Sequence, residues 1–464
     1  MKVVFIGGGS YLTLPVVRSA LAHRKVFNGG EISLYDINVP RAEAMGRMIM
    51  RTPEFKRVDC AVTWGRPLEE ALEGADAVSI TMASGSPLAA RLSSQASLKR
   101  GFLSSDQLSP TGAFLGLSAG PTILDFARKM ETACPDAWLT IFANPVAVYS
   151  GMVNNHTKIK AVGVCGGYTN HMWDLSRLMG REEQCPDYDV EVAGINHLSF
   201  ILRGSYKGRD LFEVLREHQE KGWKPLRVGE GHRHLQGHIH RALRKMFAML
   251  DQFGTLIFST EGDGMAHLYY EETYQRAMKH FAPRTKAQLK ADVTRGYQHR
   301  EKADRRFRAL LAEDLDESFW QTQPKKRRAL GRNDHHATVK ILKALAGAGR
   351  EKIAGSRLNN GAVDGFSDRT VLEYSQIVDR RGIRPYGKLT VPNAFHGLIA
   401  ALAEHQTLLG DAIATEDPKT LHHALYAYPI KQNTRASRAL YRDLLKIHAD
   451  DIPAVFQKTR EYLR

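Results

Sequence analysis

The chain has 464 residues, a length typical of two domains, and its 43% hydrophobic and 25% charged residues are typical of a globular protein with a sizeable core. Its 4 cysteines do not predict a disulfide framework in so long a chain, and no apolar stretch is long enough to predict a membrane-spanning helix. The first residues, MKVVFIGGGS, lack the pattern of a secretory signal and predict a β-strand. We therefore expect a cytoplasmic protein without a membrane partner.

Short apolar runs alternate with helical patterns along the first third of the chain. The predicted strands are 2–6, 32–35, 77–83, 138–142 and 161–164. The predicted helices between them are 16–23, 41–51, 67–74 and 121–134. Strands that alternate with helices predict a doubly wound, parallel sheet of the Rossmann type.

The rhythm changes in the second part, where longer helical segments predominate. Strand-like patterns cover 370–379 and part of 188–203, and helical patterns cover 237–251, 287–312 and 394–415. We therefore expect an α/β protein with a Rossmann domain at 1–185 that binds NAD. An α+β substrate and oligomerisation domain would follow at 186–464, in an architecture similar to lactate and malate dehydrogenases.

A glycine turn directly follows the first predicted strand and is the candidate cofactor loop. Its residues are Gly7, Gly8, Gly9, Ser10 and Tyr11. Backbone N–H groups at such a strand–turn–helix junction can receive a pyrophosphate. Leu12 stands where a third glycine is usual. Asp36, at the end of the second strand, would bind the ribose hydroxyls and favours NAD over NADP. An ordinary glycine turn beside a surface carboxylate would explain the same residues.

The loop alone predicts an NAD-dependent dehydrogenase of a 2-hydroxyacid or a sugar, which we keep as the alternative function. Two residues fit that template poorly. Cys165 ends the fifth strand, and His197 lies in the segment GINHLSF. A cysteine and a histidine at strand ends can share a metal ion. A buried cysteine and a hydrogen-bonded core histidine are the competing interpretation.

The order of several short motifs resembles glycoside hydrolase family 4, the NAD- and manganese-dependent glycosidases. The motifs are the glycine loop, the segment 106–112, Asn144-Pro145, the Gly-Val-Cys at 163–165, the Gly-Ile-Asn-His at 194–197, and the late segments 379–385 and 390–392. They span nearly the whole chain. The resemblance implies a cycle in which NAD⁺ oxidises C3 of the sugar and a base removes the C2 proton. The aglycone then leaves C1, water adds, and the hydride returns to C3.

The resemblance also implies roles for individual residues. Cys165 and His197 match the metal ligands, with Mn²⁺ as the expected ion. Asp106 matches the acid that assists the departing aglycone, although an aspartate there could also cap a turn. The base is a tyrosine in the segment 262–272; Tyr269 fits best and Tyr270 is close behind. Two packing aromatics would give the same pattern.

The substrate is expected to be the glycoside of an anionic sugar. The resemblance implies substrate contacts from Arg91, Asn144 and Asn196. The net charge of +15 and the basic residues His267, Arg380 and Arg384 also favour an anion, although surface ion pairs would explain each of these side chains.

Three anionic sugars fit: a 6-phosphosugar, a uronic acid and sulfoquinovose. The segment 113–118 lacks an arginine that the family commonly has, and the turn before it is altered. A resemblance to the related NAD-dependent sulfoquinovosidases places a sulfonated or carboxylated sugar slightly above a phosphorylated one. The preferred anomer stays open, and a homodimer or homotetramer is expected.

Basic residues cluster at 299–308 and 325–328, which raises the possibility of nucleic-acid binding. No zinc-finger spacing, RNP-type aromatic motif or basic-zipper pattern accompanies these clusters. We therefore interpret them as solvated helical faces and expect no nucleic-acid partner.

Overall fold

The computed structural model of the chain describes residues 1–166, 175, 188–221, 236–257 and 264–464. The strands, in chain order, are β1 Lys2–Ile6, β2 Gly30–Tyr35, β3 Cys60–Trp64, β4 Ala77–Ile80, β5 Trp138–Ile141, β6 Lys160–Gly163, β7 Tyr188–Ile195, β8 Leu198–Tyr206, β9 Arg209–Asp210, β10 Leu256–Ile257, β11 Glu351–Leu358, β12 Val371–Asp379 and β13 Gly382–Pro385.

The α-helices are Thr13–Leu21, Val39–Met50, Leu68–Leu72, Pro87–Lys99, Pro110–Ala133, Val146–His156, Leu211–Glu220, Gln236–Phe253, Tyr270–Lys279, Lys286–Ala309, Glu317–Lys326, Ala337–Leu345, Asn393–Thr415, Pro418–Ala427 and Arg435–Ile447. Across the described ranges, none of these helices combines the length and the apolar character that a membrane span requires.

The first six strands form a parallel sheet in the order β3-β2-β1-β4-β5-β6. Val4 in β1 lies opposite Ser33 in β2 on one side and Val78 in β4 on the other. Since β1 occupies the centre, the chain winds outward in both directions, as in dinucleotide-binding domains. The predicted Rossmann-type α/β fold is confirmed.

The same sheet continues through antiparallel strands in the order β6-β11-β12-β7-β8-β10. Ser356 of β11 pairs with Gly163 of β6 and joins the two parts. One hydrophobic cluster likewise contains Ile6 from the first strand and Leu409 from a late helix. The predicted division at residues 185 and 186 therefore stays a prediction, because sheet and core both cross it.

Two local predictions were wrong. The helix expected from residue 121 begins at Pro110, because the Ser109 side chain accepts a hydrogen bond from the Gly112 N–H and Pro110 occupies the first turn. Pro121 lies inside this helix. The strand-like stretch through 194–197 is a hairpin, in which β7 ends at Ile195 and β8 begins at Leu198.

Candidate functional site

The glycine turn is anchored to the end of β2. The N–H groups of Gly7 and Gly8 both donate to the Tyr35 carbonyl oxygen, at 2.8 and 2.9 Å. Gly7 has a φ of 79°, and a Cβ there would overlap the carbonyl oxygen of Thr81 after β4. Only glycine allows this close approach in the left-handed region. The turn therefore sits where the carboxyl ends of β1, β2 and β4 meet.

Asp36 closes the other side of the turn. Its Oδ2 accepts the Gly9 N–H at 2.9 Å, and its Oδ1 accepts the Asn38 N–H at 2.8 Å. A Cβ on Gly9 would lie 2.8 Å from Cβ of Arg41. Loop and carboxylate thus form one unit, and the predicted binding of ribose hydroxyls by Asp36 stays a prediction.

The helix after the turn begins without a side-chain cap. The helix Thr13–Leu21 has no capping hydrogen bond from a side chain and no acidic residue in its first turn. Ser10 lies just before it, where its N–H donates to the Gly7 carbonyl oxygen at 2.9 Å. An N-terminus of this kind keeps its partial positive charge available to an anion.

Tyr11 links the turn to the second half of the chain. Its hydroxyl donates to Oδ1 of Asp304 at 2.5 Å, and Arg41 lies 3.4 Å from Oδ2 of the same carboxylate. Burial, and then Asp304, raise the pKa of Tyr11. Asp304 belongs to the helix Lys286–Ala309, so this long helix contacts the cofactor-type loop directly.

Cys165 and His197 come together although they belong to different strand ends. The Sγ of Cys165 and the Nε2 of His197 are 3.4 Å apart. His197 occupies the β7–β8 turn with a φ of 69°, an uncommon conformation for a residue with a side chain. No cluster of three or more His, Cys, Asp and Glu residues suited to a metal ion occurs in the described part of the chain. The pair is the candidate metal centre.

Asn196, the neighbour of His197, is buried, with only 2% of its surface exposed. Its amide donates to Oε2 of Glu373 at 2.7 Å. The Ser199 hydroxyl lies 2.9 Å from Oε1 of the same carboxyl. Burial raises the pKa of Glu373, and its hydrogen bonds with Asn196 and Ser199 oppose this effect. The predicted contact of Asn196 with substrate stays a prediction, since this amide already binds Glu373.

Asp106 and Asn144 form a second polar pair. The Asn144 amide donates to Oδ2 of Asp106 at 2.6 Å, and Oδ1 of Asn144 accepts from Gln107 at 2.5 Å. Gln107 also accepts the backbone N–H of Val146 at 3.2 Å. Asp106 is exposed whereas Gln107 is buried. The Asp106 carboxylate is therefore exposed to solvent, while the buried Gln107 beside it holds the loop to the protein interior.

The two candidate tyrosines have different surroundings. The Tyr270 hydroxyl accepts the Leu103 N–H at 2.8 Å, and burial raises its pKa to about 12. Tyr269 is half-buried, and its hydroxyl donates to the Met249 sulfur at 3.7 Å. The Lys245 ammonium lies 4.1 Å from the centre of the Tyr269 ring. Burial also raises the pKa of Tyr269. The Tyr270 hydroxyl therefore fixes the loop that precedes Asp106. Within the described residues, the Tyr269 hydroxyl has no hydrogen bond to a backbone group.

Arg91 faces a different part of the protein from the polar pairs described above. It is exposed on the helix Pro87–Lys99. The pKa of Asp292 is lowered mainly by Arg284, and the charge of Arg91 adds to that effect. Arg91 therefore faces the helix Lys286–Ala309, and its predicted contact with substrate stays a prediction.

Two of the other basic residues proposed from sequence, Arg384 and His267, have partners within the protein, whereas Arg380 is exposed. Arg384 donates to Asp379 at 2.8 Å, and Arg384 and Arg381 together hold the pKa of that carboxyl well below its usual range. The buried His267 lies 3.2 Å from the Tyr428 hydroxyl through its Nε2. Their side chains serve internal contacts rather than an open anion site.

Sequence reasoning missed Gln107 and Glu373. Both are buried polar residues that contact predicted site residues. Glu373 had a detectable signal, because an acidic residue between the apolar Leu372 and Tyr374 of a buried strand requires a buried partner. Gln107 lay inside a recognised motif but carried no distinguishing pattern.

Two family descriptions match the chain: Family 4 glycosyl hydrolase at residues 2–180, and Family 4 glycosyl hydrolase C-terminal domain at residues 192–430. The chain belongs to the family 4 glycosyl hydrolases. The predicted family and the predicted enzyme class, a glycosidase, are both confirmed.

Relatives of this family 4 glycosyl hydrolase act on different sugars. An alpha-galacturonidase of Thermoanaerobacter italicus is 25% identical and covers 100% of this chain and 97% of its own. An alpha-galactosidase of Bacillus subtilis is 24% identical, with 97% and 99% covered. Family membership therefore does not by itself fix the sugar.

Solved structures establish the fold. A 6-phospho-alpha-glucosidase from gut microorganisms, in complex with NAD and Mn²⁺, has a TM-score of 0.77 at 18% identity, covering 97% of this chain and 99% of its own. Malate dehydrogenase from Plasmodium falciparum has a TM-score of 0.51 at 12% identity, with 89% and 99% covered. The likeness to malate dehydrogenase confirms the dehydrogenase-like architecture predicted from sequence.

Proposed function

We propose that this family 4 glycosyl hydrolase is an NAD⁺- and Mn²⁺-dependent glycosidase that acts on the glycoside of an anionic sugar. The observation that carries the proposal is the separation of 3.4 Å between Sγ of Cys165 and Nε2 of His197. An ordinary hydrolase with two carboxylates needs neither a thiol–imidazole pair nor a dinucleotide-type loop.

The Cys165–His197 pair has the donor chemistry of a divalent metal site. Sulfur and nitrogen ligands of a divalent ion such as zinc, at bond lengths of about 2.3 and 2.1 Å, are about 3.1–3.6 Å apart for bond angles between octahedral and tetrahedral values. The observed separation of 3.4 Å falls in that range. Thiolate and imidazole are softer donors than the oxygen ligands that Mn²⁺ prefers, so a Mn²⁺ ion held by this pair would need substrate oxygens to complete its coordination.

The helix start that follows the glycine turn has the donor chemistry of a pyrophosphate site, because the N–H groups of residues 7–10 donate within the protein. The uncapped helix Thr13–Leu21 begins directly after the turn, and Asp36 bonds to Gly9 at 2.9 Å. Phosphate oxygens would accept backbone N–H groups at this helix terminus. The carboxylate of Asp36 retains lone pairs for the ribose hydroxyls, which supports NAD⁺ over NADP⁺.

The residues of this chain would divide the acid and base work. NAD⁺ held at the glycine turn would supply a hydride acceptor and donor for the sugar, and a metal ion held by Cys165 and His197 would supply Lewis-acid polarisation of the substrate oxygens. Tyr269 would have to be a phenolate to receive the proton from C2, and a neighbouring metal cation would favour that form against the burial that raises its pKa. Asp106 would give a proton to the departing oxygen at C1. Asn144 holds the Asp106 carboxyl through its amide at 2.6 Å, which fixes the direction of that proton transfer.

The substrate proposal is an anionic sugar, with sulfoquinovose or a uronate ranked slightly above a 6-phosphosugar. The net charge of +15 supports attraction of an anion, and the relatives include alpha-galacturonidases and a 6-phospho-beta-glucosidase. Arg91 is the exposed guanidinium that we propose for the anionic group. We also propose that the protein is cytoplasmic and that it forms a homodimer or homotetramer. Light scattering of the purified protein tests the oligomeric state.

The test is a panel of 4-nitrophenyl glycosides of sulfoquinovose, galacturonate, glucuronate and glucose 6-phosphate, with neutral glucose and galactose as controls. We expect hydrolysis of an anionic glycoside only when NAD⁺ and Mn²⁺ are both present. Turnover in heavy water should place deuterium at C2 of the product. Hydrolysis that persists after removal of both cofactors would refute the proposal. Net accumulation of NADH with a free sugar would favour a dehydrogenase instead.

A further inference from the structure

The turn that carries His197 is short and conformationally demanding. Only Asn196 and His197 lie between the paired residues Ile195 and Leu198, which end β7 and begin β8. His197 has a φ of 69°. A residue with a side chain keeps such a backbone conformation only where its surroundings hold it.

A single carboxyl group contacts this turn from both sides. Oε2 of Glu373 accepts the amide of Asn196, the residue before His197, at 2.7 Å. Oε1 of Glu373 lies 2.9 Å from the hydroxyl of Ser199, two residues after His197. All three side chains are buried, with 7% of Glu373, 2% of Asn196 and 0% of Ser199 exposed.

The carboxyl group comes from a different strand, which makes the contact rigid. Glu373 lies on β12, opposite Gly194 of β7. Burying a carboxyl group is unfavourable unless hydrogen bonds satisfy it. Here both oxygens are used to connect β12 to the two flanks of one turn. A glutamate confined to stabilising the sheet would not need to contact residues on both sides of His197 and Leu198.

We propose that Glu373 is a positioning residue that holds the Asn196–Ser199 turn and thereby aims the His197 imidazole at the metal ion shared with Cys165. This inference rests on the proposed function, because it assumes that Cys165 and His197 bind the ion. The reason is geometric: the two ligands approach from different strand ends, so their separation depends on how firmly each loop is held. Outer contacts of this kind commonly change metal affinity by about 10- to 100-fold when they are lost.

The experiment measures Mn²⁺ affinity directly, without turnover. Free Mn²⁺ is titrated by electron paramagnetic resonance in the presence of saturating NAD⁺, for wild type, Glu373→Ala, Glu373→Gln and Ser199→Ala. We expect Glu373→Ala to raise the Mn²⁺ Kd by about 10- to 100-fold, with smaller increases for the other two variants. Glutamine can still accept the Asn196 amide, but it meets the Ser199 hydroxyl, which also lies 2.8 Å from the Ile195 carbonyl oxygen, with an N–H donor in place of one acceptor. The NAD⁺ Kd should stay at the wild-type value in all three.

Ser375→Ala is the matched control. Ser375 is on the same strand and the same face as Glu373, is 2% exposed, and accepts the Val192 N–H on β7 at 3.0 Å. Its replacement removes a buried hydrogen bond between β12 and β7 without touching the turn. We expect a lower stability and an unchanged Mn²⁺ Kd. If Glu373→Ala does not fold, Glu373→Gln and Ser199→Ala decide the question.

Two failures are distinguishable. A wild-type Mn²⁺ Kd in Glu373→Gln and Ser199→Ala, together with loss of binding in Cys165→Ser and His197→Ala, would overturn the positioning role alone. A wild-type Mn²⁺ Kd in Cys165→Ser and His197→Ala would overturn the proposed metal site, and the inference with it.

Discussion

The Sγ of Cys165 and the Nε2 of His197 lie 3.4 Å apart, although two other strands separate their own strands in the sheet. Cys165 follows β6 and His197 follows β7, with β11 and β12 between them. Three strand spacings amount to about 14 Å in a regular sheet. The contact between the two side chains is therefore made by the chain beyond the strands and not by adjacent strands. Such a contact depends on the conformation of the loops after the two strands.

Removing either member of this pair should abolish metal-dependent activity. Cys165→Ser and His197→Ala each leave a single protein ligand, so we expect at least about a 100-fold loss of kcat/KM at fixed Mn²⁺. The NAD⁺ Kd should remain at the wild-type value, because the glycine turn is held by Tyr35 and Asp36 instead. Steady-state kinetics across a Mn²⁺ titration and calorimetric NAD⁺ binding measure the two quantities.

Cys60→Ser is the control for thiol removal. Cys60 is a half-buried free cysteine on β3, at the opposite edge of the sheet from β10. Its replacement should leave the Mn²⁺ dependence unchanged. An equal loss in Cys60→Ser would show that thiol chemistry in general, rather than this pair, supports activity.

The glycine turn should tolerate no side chain at Gly7. A Cβ there would overlap the Thr81 carbonyl oxygen at a φ of 79°, so the turn must shift. We expect Gly7→Ala to weaken NAD⁺ binding by more than about tenfold, measured by calorimetry. Gly29→Ala is the matched control, since Gly29 has a φ of 71° and no atom of the described residues would lie within 4 Å of a Cβ added there. It should cost about 1 kcal/mol of stability and leave the NAD⁺ Kd unchanged.

The parallel half of the fold could be predicted because its signals are local. Each buried strand of a doubly wound sheet is an apolar run, and the runs at 2–6, 138–142 and 161–164 correspond closely to β1, β5 and β6. The hairpin at β7–β8 was missed because its turn, Asn196-His197, contains neither glycine nor proline. Helix-breaking residues also misled the prediction at Pro121, where tertiary packing retains a proline inside the helix.

Site residues could be predicted only where a sequence motif contained a residue type with a recognisable chemical role. Asp36, Cys165 and His197 were identified as types that bind a ribose or a metal ion, and the structure brings the last two together. Glu373 lies 174 residues from Ser199, which it contacts, so no local pattern could connect them. Buried polar contacts between distant strands depend on the sheet order, and the sequence alone does not provide that order for antiparallel strands.

Asp106→Asn should slow aglycone departure in proportion to the basicity of the leaving group. The variant cannot give a proton, but its Oδ1 can still accept the Asn144 amide, so the loop geometry is retained. We expect kcat to fall by about 100- to 10,000-fold for alkyl glycosides and much less for 4-nitrophenyl glycosides. A uniform loss across a series of leaving groups would contradict an acid role and favour a structural one.

The roles of Tyr269 and Tyr270 should be distinguishable by replacing each residue with phenylalanine. Tyr270→Phe leaves the Leu103 N–H without its 2.8 Å partner, so we expect a loss of about 1–3 kcal/mol in the free energy of unfolding. Tyr269→Phe removes only a long contact to the Met249 sulfur and should hardly affect stability. It should instead slow deuterium incorporation at C2 by at least about 100-fold. The reverse pattern, with exchange lost in Tyr270→Phe at unchanged stability, would assign the base to Tyr270.

Stability should decline in mild acid because of buried neutral histidines. Burial lowers the pKa of His405 to about 4, and its Nδ1 lies 2.7 Å from the Ala424 carbonyl oxygen. The unfolded chain binds a proton near pH 6.5, while the folded form does not until about pH 4. The unfolded state therefore binds more protons between these values, so the stabilisation is complete above about pH 6.5 and is lost as the pH falls toward 4.

The effect of one histidine is measurable by urea unfolding at pH 7 and pH 5. A single group with these pKa values contributes a loss of about 2 kcal/mol between the two conditions. His405→Asn keeps an N–H donor and cannot titrate, so its stability should fall less than that of wild type by about that amount. Equal pH dependence in His405→Asn and wild type would show that His405 does not resist protonation in the folded protein.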